Sequence, residues 1–200
     1  MSPSKLVVCI IAVIYHTATT SVVTSKNCDP KQLTTTELCC KIPSLDHTKP
    51  QTKALEKYGG FMRTCHNELR RKFQPLNVEN PSLEKQRINE CLMECLAEKA
   101  EVLKNGVIDY KSLKELVFEF LDDKERWMPA LDNVFEKCEE VRKQNLTGDE
   151  ICKSGTLSLS ICLLENAYLN CPGEYWIDNN VCNEEKEFIE RCSFAERFGI

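Results

Sequence analysis

Ile88-Asn-Glu-Cys-Leu-Met-Glu-Cys-Leu96 is the stretch that decides the fold. Ile88, Cys91, Leu92, Cys95 and Leu96 recur at helical spacing and form one apolar stripe. Cys91 and Cys95 stand one turn apart on it, so their Cβ atoms are about 5–6 Å apart. A disulfide wants about 3.8 Å between those atoms. The two cysteines therefore do not bond to each other, and each staples a different segment onto this helix. A helix stapled twice on its buried face belongs in a crosslinked helical bundle.

The pattern continues on both sides. Asn80-Pro81 supplies a helix start, with Asn as N-cap and Pro at the first helical position. Asn105-Gly106 is expected to end that helix, because Asn or Gly takes the left-handed conformation cheaply. Asp109 is a cap for the next, whose stripe is Leu113, Leu116, Val117, Phe120 and Leu121. A third pattern uses Trp127, Leu131, Val134, Phe135, Cys138 and Val141, with Pro129 near its first turn. Thr156–Leu164 (TLSLSICLL) alternates as a strand does, yet Leu157, Ile161, Leu164 and Tyr168 also fit a helix. Helix is favoured, since a lone strand lacks a partner. After Pro172 comes a turn-rich stretch and then a short charged helix, Glu184–Arg191.

Residues 1–25 read as an export signal. Lys5 precedes an apolar run of ten, Leu6–Tyr15, and a small, polar stretch then offers cleavage sites. Ten residues are too few for a membrane helix, which takes about 20. Roughly 175 residues follow, enough for one domain with a real core. The net charge is −5, or −6 once Lys5 leaves, and the charges are spread along the chain. That balance fits solubility and argues against nucleic acid, which needs a basic face.

Of 13 cysteines, Cys9 lies in the signal and twelve remain. An even count behind a signal peptide means a disulfide framework in an oxidising compartment. Zinc is disfavoured, because there is no C-x2-C pair and only His47 and His66 remain outside the signal. Adjacent Cys39 and Cys40 bond to two separate places. Twelve cysteines allow on the order of ten thousand pairings, and spacing alone does not choose among them.

The spacings themselves carry a resemblance. Cys65 and Cys91 are separated by 25 residues, Cys91 and Cys95 by three, Cys95 and Cys138 by 42, and Cys162 and Cys171 by eight. This is similar to the six-cysteine signature of insect odorant-binding proteins. Asn105-Gly-Val-Ile-Asp109 resembles the link between two helices in that family. Nine residues separate Cys152 from Cys162, Pro172 follows Cys171, and nine residues separate that Pro from Cys182. These extra features resemble the Plus-C branch, although the 13 residues between Cys138 and Cys152 are fewer than that branch leads one to expect.

The resemblance implies Cys65–Cys95, Cys91–Cys162 and Cys138–Cys171, leaving Cys28, Cys39, Cys40, Cys152, Cys182 and Cys192 to pair in an order it does not specify. The expected fold is all-α: a compact, disulfide-crosslinked bundle of about six or more helices. It forms one domain, 26–200, with an N-terminal extension, 26–50, and a C-terminal extension, 172–200.

The resemblance further implies a secreted carrier of small hydrophobic molecules, working in sensillum lymph and delivering odorants to an olfactory receptor, with homodimers known among relatives. Such a carrier needs an apolar pocket. Candidate walls are Met62, Phe73, Leu96, Leu116, Val117, Phe120, Trp127, Leu131, Phe135 and Leu163, each of which also reads as plain core. His47 and His66 are expected to be surface or structural. Asn145-Leu-Thr147 fits an N-glycosylation acceptor. No cofactor or metal is implied.

Two rival classes remain in view. Cys39-Cys40 with Tyr58-Gly59-Gly60 is faintly similar to secreted phospholipase A2, but Pro43 stands where the catalytic His belongs, and the base is missing. No G-x-S-x-G, H-E-x-x-H or P-loop occurs, so no enzyme is expected. A salivary or venom-type binding module, recognising a host protein or small amine, shares the signal, cysteines and helices. Tyr58–Met62 spells an opioid pentapeptide, but dibasic flanks are absent and the double Gly reads as a helix kink.

Overall fold

The computed structural model describes residues 28, 39–41, 53–72, 81–121, 123–144, 146 and 152–192. Seven helices and one small hairpin occur among them: α1 Lys53–Lys72, α2 Pro81–Lys99, β1 Leu103–Lys104, β2 Val107–Ile108, α3 Tyr110–Leu121, α4 Lys124–Leu131, α5 Val134–Gln144, α6 Thr156–Leu169 and α7 Asn180–Arg191. The protein is an all-α crosslinked bundle. The export signal, Asn80, Phe73, His47 and Asn145 lie outside the described residues.

Helix α6 is the hub. It packs on α2, α4, α5 and α7, while α1 packs on α2. Thr156, Leu157, Leu159, Ile161, Cys162 and Asn166 are all buried, which wraps more than one face. A helix apolar nearly all round is one buried on several sides, and this is why TLSLSICLL also looked like an alternating strand. The expected helical stripe does not hold at Leu164, which is exposed. Gly155 caps α6 with φ of 66°, and a Cβ there would lie 2.8 Å from Arg142 Cγ, so glycine is required twice over.

Two local expectations are corrected. Helix α2 stops at Lys99, before Asn105-Gly106. Glu101 turns left-handed at φ 60°, its N–H bonds Glu98 O at 3.0 Å, and Val102 N–H bonds Ala97 O at 2.9 Å. That is a Schellman ending, with buried Val102 as its apolar contact. Asn105 and Gly106, at φ 53° and 78°, instead form the two-residue turn of the β1–β2 hairpin. Both central residues of a type I′ turn need positive φ, which suits this dipeptide.

The pattern Trp127–Val141 is two helices rather than one. Pro129 sits in the second turn of α4, where it lacks an N–H and crowds the preceding carbonyls. The chain leaves the helix at Asp132-Asn133 and restarts at Val134. Asp109 does cap α3, its Oδ1 accepting from Lys111 N at 3.1 Å and Ser112 N at 3.2 Å. Helix α1 runs through Gly59 and Gly60 without interruption.

Six disulfides tie these elements. Cys65–Cys95 joins α1 to α2, and Cys91–Cys152 joins α2 to the segment before α6. Cys138–Cys162 joins α5 to α6. Cys40–Cys171, Cys39–Cys182 and Cys28–Cys192 bind the N-terminal extension to the end of α6 and to α7. The implied Cys91–Cys162 and Cys138–Cys171 bonds are therefore corrected. Helices α5 and α6 lie side by side and antiparallel, which brings the Cα atoms of Cys138 and Cys162 to 5.5 Å. Cys152 then meets Cys91 with 5.1 Å between Cα atoms, and Cys171, past the end of α6, meets Cys40. All twelve described cysteines are in disulfides.

Candidate functional site

The expected wall residues divide between clusters. Leu116, Val117, Trp127, Leu131, Phe135 and Leu163 come together in the main core, beside Leu113, Leu121, Val134 and Leu159. Met62 and Leu96 belong to a separate cluster built around Cys65, Leu69, Cys91 and Leu92 between α1 and α2. Phe120 belongs to neither; its ring lies 4.7 Å from that of Tyr58 on α1. Burial pushes the Tyr58 hydroxyl up to about 12, reinforced by Glu119. His66 is exposed on α1.

The main core is aromatic at one end. Trp127 is wholly buried on α4, Leu131 is 1 % exposed one turn later, and Phe135 is 2 % exposed at the start of α5. Phe118 tilts against Phe135 with ring centroids 6.4 Å apart, and Lys114 Nζ lies 5.2 Å over the Phe135 ring. Tyr175, in the C-terminal extension, stacks on Trp127 at 6.2 Å and an interplanar angle of 19°.

The two extensions hold that stack in place together. Lys41 N donates to Tyr175 O at 2.7 Å and Ile177 N to Cys39 O at 2.8 Å, around an antiparallel bridge between Cys40 and Trp176. Cys40–Cys171 and Cys39–Cys182 lock the same contact covalently. On the α4 side, Tyr175 Oη donates to Asp123 Oδ2 at 3.2 Å, and Arg126 pairs with both Asp123 and Glu174. Asp123 also caps α4 through Arg126 N. The extensions thus close over the Trp127 end of the core.

Trp127 carries an anomaly. Its Nε1–H is buried without a hydrogen-bond partner among the described residues. A buried donor left unpaired costs about 1–3 kcal/mol, and the indole is donor-only.

A polar network supports the opposite flank. Arg142 donates through Nε to Glu139 Oε2 at 2.6 Å and through Nη1 to Ser154 O at 2.7 Å, while Tyr110 Oη also donates to Glu139. Ser154 N in turn donates to Glu94 Oε2 at 2.8 Å. The network pins α3, α5, α2 and the entry to α6 through two carboxylates, Glu139 and Glu94. The Arg142 hydrogen bond holds the Glu139 carboxyl at about 2, below its ordinary 4.5.

Because the folded value lies below the unfolded one, this stabilisation is complete above about pH 4.5 and disappears as the pH falls toward about 2. Glu139→Gln should therefore narrow the gap to wild type across that window, measured as the urea midpoint against pH. A gap that stays constant there would contradict the assignment.

Sequence reasoning missed Tyr175, hidden in a turn-rich stretch with no periodicity. It also missed the network, of which only the Glu139–Arg142 spacing of three was visible. No helix among the described residues is long and apolar enough to cross a membrane. Comparison with protein-family models, curated proteins and solved structures finds no match to this chain.

Proposed function

We propose that this chain is a secreted, non-catalytic carrier of small, mainly apolar molecules, of the extended Plus-C odorant-binding kind, working in sensillum lymph and passing its cargo to an olfactory receptor. The observation that carries the reading is the aromatic core around Trp127 and Phe135, closed at one end by two extensions held with disulfides. Crosslinks of this kind let a bundle open around a guest and re-form, because the chain's path is fixed covalently and does not depend on a fully packed interior. The cysteine spacings from Cys65 to Cys182 support the family. The twelve cysteines, all paired, fit an oxidising extracellular medium.

The test uses the protein secreted from the full sequence with its disulfides formed. An apolar naphthylamine fluorophore is titrated in and then displaced with a panel of volatile molecules. Saturable uptake in the micromolar range, reversed by the panel, is the expected result. A folded, fully oxidised protein that takes up no fluorophore would overturn the carrier reading and favour a secreted module that recognises a protein through its surface.

A further inference from the structure

Among the described residues, Trp127 Nε1–H is a feature of the main core that apolar packing leaves unexplained. The side chain is fully buried, and no described group accepts from its donor. Tyr175 covers one face of the ring but directs its hydroxyl to Asp123, so it does not accept from the indole. A Phe or Leu would fill an apolar core without the cost of stranding an N–H.

We infer that Trp127 selects cargo: the Nε1–H receives the oxygen of a mainly apolar molecule that carries one hydrogen-bond acceptor, as a ketone, ester or ether does. This rests on the carrier reading and specifies its ligand class. A bare hydrocarbon fills the same space but leaves the donor unpaired. An acceptor oxygen pairs it in a region screened from water, where a hydrogen bond counts for more than at the surface.

The experiment compares 2-octanone with octane, each displacing the naphthylamine fluorophore from wild type and from Trp127→Phe. The expected result is a loss of about threefold to tenfold in 2-octanone affinity in the variant, with octane unchanged. In wild type, the indole N–H resonance that is missing from the spectrum of the variant should shift on adding 2-octanone and stay put with octane. That spectrum tests the idea even if Trp127→Phe folds poorly.

Equal losses for both ligands would reduce Trp127 to a packing residue and overturn the inference. An unchanged ketone affinity with an unmoved resonance would show that the donor serves only an internal water, and would overturn it too. If neither ligand nor fluorophore enters folded wild type, the carrier reading itself fails and the inference falls with it.

Discussion

Phe135→Ala should lower stability by about 3–5 kcal/mol, the range for truncating a well-packed aromatic. For a chain of this size that corresponds to a fall of roughly 6–20 °C in Tm. The ring is 2 % exposed, tilts against Phe118 of α3 and shares the main core with residues of α4 and α6, so the space it leaves is not filled by moving one element. The measurement is a guanidinium denaturation curve with the disulfides intact. A loss below about 1 kcal/mol would be informative in the other direction. It would mean that the Phe135 ring borders open space in the native state, since deleting a side chain that lines a void removes few contacts. The same variant therefore separates a packed core from a preformed pocket, without any ligand.

What the local pattern revealed and what it hid follow from the range of the forces involved. The stripes of α2 and α3 were legible because burial of one helix face writes a 3.6-residue period into the chain. Asp109 was legible because a cap acts over three residues. Asn105-Gly106 was misread because positive φ serves a helix end and a hairpin equally well. The choice fell to Glu101, a residue with no special propensity for that conformation. Pro129 hid a break, since its effect depends on which turn it occupies, and the start of α4 is set by Asp123.

The candidate walls show the same limit. Periodicity identified Met62, Leu96, Trp127 and Phe135 as inward-facing, but inward has two meanings in a bundle with separate clusters. Met62 and Leu96 belong to the cluster that holds Cys65–Cys95 and Cys91–Cys152, whereas Trp127 and Phe135 share the main core with Leu159 of α6. Which helix faces which is a tertiary outcome. Tyr175 was invisible for the same reason: a tail with no repeat is placed by two disulfides and a backbone bridge, all formed with residues more than a hundred positions away.

The disulfide with the largest expected effect is Cys91–Cys152, and it is also one of the bonds on which the structure and the implied pairing disagree. Loop length alone would rank Cys40–Cys171 higher, since it spans 131 residues against 61. Yet Cys39–Cys182 already ties the neighbouring positions, so removing Cys40–Cys171 frees a loop of only about a dozen residues, for a loss of about 3 kcal/mol. Cys91–Cys152 has no such understudy. No disulfide lies wholly inside its span; Cys138–Cys162 straddles its far end and barely shortens the path, and Cys65–Cys95 straddles its near end without bridging it. Replacing both Cys91 and Cys152 by Ser should then cost about 4 kcal/mol in the chain-entropy model. The expected thiol count of that double variant, unfolded without reductant, is zero. Were Cys91 bonded to Cys162 instead, the variant would strand Cys162 and the partner of Cys152, and two thiols would titrate. A zero count with a loss well below 4 kcal/mol would keep the pairing and show that the segment before α6 is restrained even in the unfolded chain. Two thiols would return α6 to a direct covalent bond with α2, and the side-by-side packing of α5 on α6 would have to rest on Arg142, Glu139 and apolar contact alone.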